Sequence, residues 1–278
     1  MFTRIRKPIT TLVLTAGAAL FFTAAQAQTA RFVSSTGSNA NNCTRNAPCR
    51  TLQRGIAMTP AGGELQILDS GVYGNAVTIG KSITISAVGV SATVGSITID
   101  APGATVVLRG LLLNGTSAPG LSSGLAIEEA AVVHIVNCEI ERFPGSGIVI
   151  TAFLAQVLVS QTTARSNGLH GLLLFRPSGG TTRLLIVNSR FERNGSSGIH
   201  INGPSQQVMV EHSVSSHNGT RGLFIATNGG GVRISNSVFT FNKIGLENSN
   251  GNLLSRGNNT VSSNLTDTVG SIGALTAK

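Results

Sequence analysis

The strongest constraint on this chain is an internal repeat. IVNCEIERFPGSGIVI (135–150), VSQTTARSNGLHGLLL (159–174), IVNSRFERNGSSGIHI (186–201) and VEHSVSSHNGTRGLFI (210–225) align without gaps, and ISNSVFTFNKIGL (234–246) follows with one residue deleted. A polar anchor recurs at Asn137, Gln161, Asn188, His212 and Asn236, with Gly110 in the same slot upstream, at spacings of 27, 24, 27, 24 and 24 residues. A period of that length marks a stack of supersecondary units, none of which can bury its apolar face alone.

Within each unit the apolar residues alternate with a period of two, which is strand patterning. Val133/Ile135, Val157/Val159, Leu184/Ile186, Val208/Val210 and Val232/Ile234 precede the anchor. Ile140, Ala164, Phe191, Ser215 and Phe239 follow it on a short strand, and a last strand after a recurrent Gly carries Ile148/Ile150, Leu172/Leu174, Ile199/Ile201 and Leu223/Ile225. Three strands per turn, with like residues stacked about 4.8 Å apart, predict an all-β fold, a right-handed parallel β-helix. The anchors are expected to point inward and bond the backbone of neighbouring coils. Gly147, Gly171, Gly198, Gly222 and Gly245 are expected to supply a corner conformation that a Cβ would strain. Leucine-rich repeats are set aside because their L-x-x-L-x-L signature is missing.

The motif N-x-x-F-x-x-N-x-x-x-G-I-x-I, over roughly 80–265, resembles the right-handed parallel β-helix repeat of the pectate-lyase-like superfamily. Upstream, RFVSSTGSNANNCTRNAPCRTLQRGI followed by PAGGELQILDSGVYG resembles the opening module of secreted bacterial β-helix proteins. That resemblance implies a short strand and a short N-terminal capping helix over 51–58, with Leu52, Ile56 and Met58 towards the core. The expected organisation is a signal peptide (1–27), a strand, Cys loop, helix and first coil (28–80), coils (81–265) and a C-terminal tail (266–278).

The N-terminus reads as an export signal: Arg4, Arg6 and Lys7, an uncharged apolar run over 9–22, and Ala25-Gln26-Ala27 for cleavage. The run is shorter than the roughly 20 residues of a membrane span, and no later segment is apolar enough to provide one. Export to the periplasm or beyond makes a disulfide between Cys43 and Cys49 plausible, with two free thiols as the alternative; Cys138 reads as a small buried apolar residue. Removing the leader leaves 17 basic against 11 acidic residues. That balance suits an acidic polysaccharide or an anionic envelope surface. Trp is absent and Lys/Arg runs are missing, which argues against a nucleic-acid partner.

The superfamily includes pectate lyases, polygalacturonases, mannuronan epimerases, phage tailspikes and non-catalytic adhesins, so function rests on the residues. Calcium-dependent lyases need converging carboxylates and a base, and acid hydrolases need paired carboxylates. Only 11 acidic residues are present, and none of the Asp-Asp, Gly-His-Gly or Asp-Pro-His-Glu motifs occurs. No catalytic residue is therefore carried over.

Two outward clusters remain. On the short strand, Glu139/Thr163/Arg190 and Glu141/Arg165/Glu192 form adjacent columns. They read as an inter-coil charge ladder or, alternatively, as an acid/base centre or sugar clamp of Glu139, Glu141, Arg165 and Arg190. Around the last strand, the columns Ser146/His170/Ser197/Arg221 and Val149/Leu173/His200/Phe224 could hold an acidic saccharide through His170, His200 and Arg221. No carboxylate is expected there, and the competing reading packs the apolar column under a loop or a second subunit. His134, His212 and His217 read as single residues, and neither a metal nor a cofactor is expected. The longest loops, 115–123, 175–182 and 202–207, are too short to wall a cleft.

The functional expectation is an exported non-catalytic β-helix that binds or scaffolds polysaccharide or envelope partners. The alternatives are a lyase or epimerase acting on acidic glycans, and a structural, oligomerising surface module.

Overall fold

Every repeat closes into one turn of three short strands. The computed structural model describes residues 30–117, 120, 122–175, 180–204, 206–226 and 231–276, so the leader expected at 1–27 lies outside the described residues. Among those described, the strands form three parallel sheets of eleven, nine and nine strands, each strand pairing with its equivalent one coil away. One complete coil runs through Val132–Val136 in the first sheet, Glu139–Glu141 in the second and Ile148–Ile150 in the third. The next runs through Gln156–Ser160, Thr163–Arg165 and Leu172–Phe175.

The registers are those of the repeat: Val133 pairs with Val157, Ile140 with Ala164 and Ile148 with Leu172. Because side chains alternate across a strand, these residues all face inward, where they are no more than 3% exposed. Burying a large aliphatic side chain contributes roughly 1.5–3 kcal/mol, repeated at every rung.

The corners differ from the sequence expectation. Asn137, Gln161, Asn188, His212 and Asn236 have φ of 52, 50, 51, 47 and 49° and are exposed. They are single left-handed residues turning the chain from the first sheet to the second, a conformation that Asn tolerates better than most residues and Gly adopts freely at Gly110. The inward polar ladder at this corner is one residue later. Ser189 Oγ accepts from Thr162 N (3.2 Å), Ser213 Oγ from Ser189 N (3.1 Å) and Ser237 Oγ from Ser213 N (3.2 Å).

The inward asparagines stand at the next corner, between the second and third sheets. Asn167, Asn194, Asn218 and Asn242 are buried, and each Nδ2 donates to the Oδ1 of the asparagine one coil on, the last to Asn264, at 3.0–3.2 Å. Their Oδ1 atoms also accept backbone N–H groups, so the corner backbone is satisfied without water.

The glycine column owes its identity to this ladder rather than to a left-handed backbone. None of the five has positive φ. A Cβ on Gly171 would lie 2.7 Å from Gly198 O and 2.9 Å from Asn194 Nδ2.

At the N-terminal end, Thr51 Oγ1 accepts from Arg54 N and starts the helix Leu52–Met58. Leu52 and Ile56 are buried in the core and Met58 packs against it partly buried; the helix lies against the strands Ala30–Val33 and Ala76–Ile79. Cys43 and Cys49 are joined in a disulfide, in a loop laced to Phe32 by Phe32 N→Cys43 O and Cys49 N→Phe32 O. Cys138 is free and buried, and burial pushes its thiol up to about 11. At the other end, Thr266–Val269 and Gly273–Ala274 continue the third and first sheets through the stretch assigned to a tail.

Candidate functional site on the third sheet

Parallel pairing sets Leu173, His200, Phe224 and Glu247 side by side on the outward face of the third sheet. His170 comes from the corner one coil before His200. Its Nδ1 faces Ser197 N at 3.3 Å, and its Nε2 lies 3.2 Å from His200 Nδ1. The backbone N–H can only donate, so His170 Nδ1 is the acceptor and its proton sits on Nε2, donated to His200 Nδ1. His200 then carries its proton on Nε2, which is buried without a partner among the described residues.

The rings continue along the sheet. The His170 and His200 centroids are 4.6 Å apart and edge-on; His200 stacks on Phe224 at 4.7 Å. Arg221 Cζ lies 4.1 Å from the Phe224 centroid, a cation–π contact, while Arg221 Nε donates to Glu247 Oε2 at 2.5 Å. Burial, reinforced by the positive charge of Arg221, holds His170 below the usual histidine range. Burial, then His170 and Arg221, take His200 down to about 4. Both imidazoles are therefore uncharged near neutral pH.

The three residues singled out in the sequence, His170, His200 and Arg221, are thus brought into one row. The expectation that no carboxylate joins them is corrected: Glu247 belongs to the column. It was missed because the last repeat has lost a residue, which shifts the alignment where Phe224 pairs with Glu247.

The second cluster is divided. Arg165 Nε donates to Glu139 Oε1 at 2.6 Å, and its Nη2 lies 2.7 Å from Glu141 Oε2. Asn114 Nδ2 donates to Glu141 Oε1 at 3.0 Å, and Glu141 is 4% exposed. The hydrogen bond to Glu139, working against desolvation, raises the pKa of Arg165. Arg190 does not join; it pairs with Glu192 on its own strand. Glu141, Arg165 and Glu192 stand in register as expected, but the ion pair of Arg165 in that column is with Glu141. Arg165 bridges two carboxylates of the preceding coil, Arg142 also lies 3.3 Å from Glu141 Oε1, and the buried Glu141 is closed to a substrate.

His134 lies on the first sheet, His217 sits against Phe241 at 4.8 Å, and His212 is at a corner. No three His, Cys, Asp or Glu side chains group to hold a metal among the described residues. No helix among them is long and apolar enough to cross a membrane.

Three parallel sheets, one strand each per coil, with inward polar ladders at two corners and an outward row of rings, define a parallel β-solenoid. The chain belongs to the right-handed β-helix family, whose model, described as the right handed beta helix region, matches residues 55–239 and 123–270. A search of curated proteins gives no match.

Among solved structures the chain is similar to pectate lyase Pel9A, at TM-score 0.64 and 17% identity over 89% of this chain and 77% of that one. It is also similar to ORF18 of Geobacillus virus E2, at TM-score 0.59 and 12% identity over 80% and 52%. A rhamnogalacturonan lyase follows at TM-score 0.50 and 12% identity over 89% and 86%. At these identities the likeness is one of fold.

Proposed function

We propose that this protein is an exported, non-catalytic β-helix that holds acidic polysaccharide along the outward face of its third sheet, with the helix Leu52–Met58 closing the N-terminal end of the coils. The observation that carries the reading is the in-register row His170–His200–Phe224 beneath Arg221. The row forms a continuous aromatic strip at the coil pitch, along which a chain of sugar rings can lie. The donors of Arg221 that Glu247 leaves unused suit a sugar carboxylate or hydroxyl. The exposed Phe175, at the end of the strand Leu172–Phe175 of the same sheet, extends the apolar surface.

Catalysis is the second reading, and the fold likeness to two lyases favours it. Its residues are poorly placed for it. A base with a pKa near 4 abstracts protons weakly at neutral pH, and Glu141 is buried beneath Arg165 and Asn114.

Incubating mature protein with polyuronates and neutral glucans, following retention and 4,5-unsaturated product together, separates the two. Retention of polyuronate without product is expected, weakened about five- to tenfold in Phe224→Ala, which removes one ring of the row and the surface that holds Arg221. Product that disappears in Glu139→Gln would establish the lyase instead, and no retention on any glycan, with a stable oligomer, would favour a structural module.

A further inference from the structure

The outward face of the first sheet breaks the usual alternation of apolar inside and polar outside. Along the coil axis its central column runs His134, Leu158, Leu185, Met209 and Arg233, each paired in register with the next. Leu185 is 38% exposed, and Leu158 and Met209 are half-buried. They floor a groove of about 440 Å³, flanked by Gln156, Arg183 and Gln207 from the neighbouring column. That volume is on the scale of a small-molecule site. The sequence carries the signal as unbroken apolar runs such as Leu184-Leu185-Ile186-Val187, where an outward-facing slot would ordinarily be polar.

Charge narrows the occupant. Arg183 and Arg233 are exposed, and neither has a carboxylate partner among the described residues; Arg183 Nε donates only to Gln207 Oε1, at 3.2 Å. A second copy docking across a two-fold axis with its coils parallel would bring Arg233 against its own equivalent, and with its coils antiparallel against His134; neither supplies the missing carboxylate. An occupant that satisfies both features has a linear apolar body and one anionic end.

Its length follows from the coil pitch. Leu158 to Arg233 is three steps of about 4.8 Å, or about 14 Å. A zigzag of ~1.5 Å carbon–carbon bonds advances about 1.25 Å per carbon, so about eleven or twelve carbons, the carboxyl carbon included, reach from Leu158 to Arg233. We propose that this groove binds a fatty-acid carboxylate of about this length, its chain along Leu158, Leu185 and Met209 and its carboxylate at Arg233. The site lies on a different sheet from the ring row and does not depend on the glycan reading.

The test is calorimetric titration of the mature chain with dodecanoate below its micelle concentration, with butyrate and dodecyltrimethylammonium as comparators. One dodecanoate per chain is expected, with butyrate at least a hundredfold weaker. Arg233→Gln should weaken binding about tenfold and reduce its salt dependence, and Leu185→Asn should abolish it. Both side chains are exposed, so an unchanged β circular dichroism spectrum and melting temperature would show that these variants fold. Equal binding of dodecyltrimethylammonium, or dodecanoate binding indifferent to both variants, would overturn the proposal. So would binding to phosphatidylglycerol vesicles without binding of free dodecanoate, or a dimer that Leu185→Asn dissociates. Glycan retention should be unaltered in both variants, which keeps failure here distinct from failure of the polysaccharide reading.

Discussion

Asn194→Ala removes the middle of the buried asparagine ladder, and its cost can be worked from the bonds it breaks. Asn194 Oδ1 accepts from Asn167 N (3.1 Å) and Asn167 Nδ2 (3.0 Å), and its Nδ2 donates to Asn218 Oδ1 (3.0 Å) and Ala164 O (3.2 Å). Asn218 Oδ1 keeps the Asn194 backbone N–H, so the groups left short are Asn167 N, Asn167 Nδ2 and Ala164 O. Each buried group left without a partner costs about 1–3 kcal/mol; since Asn167 Nδ2 retains a long bond to Ile140 O, a total of about 3–5 kcal/mol is expected. For a chain of this size that is a fall of roughly 6–20 °C in Tm.

The control is Asn188→Ala, at the repeat's most visible position, which is exposed at φ 51°. Only its tolerance of the left-handed backbone is lost, about 1 kcal/mol, and Asn188→Gly should be neutral to within a few tenths. Urea unfolding followed by circular dichroism measures all three. Equal losses for Asn194→Ala and Asn188→Ala, or a loss below about 1 kcal/mol for the former, would refute the assignment of the ladder to the second corner.

Other perturbations follow from the same structure. Gly171→Ala places a Cβ 2.7 Å from a carbonyl oxygen of the next coil and should cost about 1–3 kcal/mol in the same urea assay. His200, depressed to about 4, should stay uncharged down to that pH in an NMR titration; because the unfolded imidazole binds its proton first, stability should fall by about 1–2 kcal/mol as pH drops from 6.5 to 4, and His200→Phe should reduce that dependence, leaving the share that His170 contributes. Asp69 is opposed by desolvation, but hydrogen bonds from Tyr73, Ser35 and Ser34 outweigh it and hold the carboxyl at about 2. Its stabilisation is present above pH 4 and lost as pH falls towards 2, so Asp69→Asn should be less stable by about 1 kcal/mol at pH 6 and converge with the wild type near pH 2.

Much of the fold was legible because a coil is a local object. The alternation of Val133/Ile135, Ile140 and Ile148/Ile150, repeated at 24–27 residues, specifies three strands and their register, since any slip would turn the apolar set outward. It also named the outward columns, and His170, His200 and Arg221 could be singled out from them. The corners were not legible in this way. Asn137 and Asn167 are both asparagines beside strands, and only φ and burial distinguish the exposed left-handed residue from the buried ladder.

What tertiary structure alone decided is which side chains meet between coils. The sequence determined that Glu139, Glu141, Arg165 and Arg190 share a sheet, but not that Arg165 takes both glutamates of the previous coil while Arg190 turns to Glu192. It determined that Phe224 faces outward, but not that Glu247 follows it, nor that the outward leucines of the first sheet line a groove. Periodicity fixes the direction of a side chain through the two-residue repeat of the strand. The partner of a long, flexible, charged side chain is fixed by distances of a few ångströms between coils, which no single repeat contains.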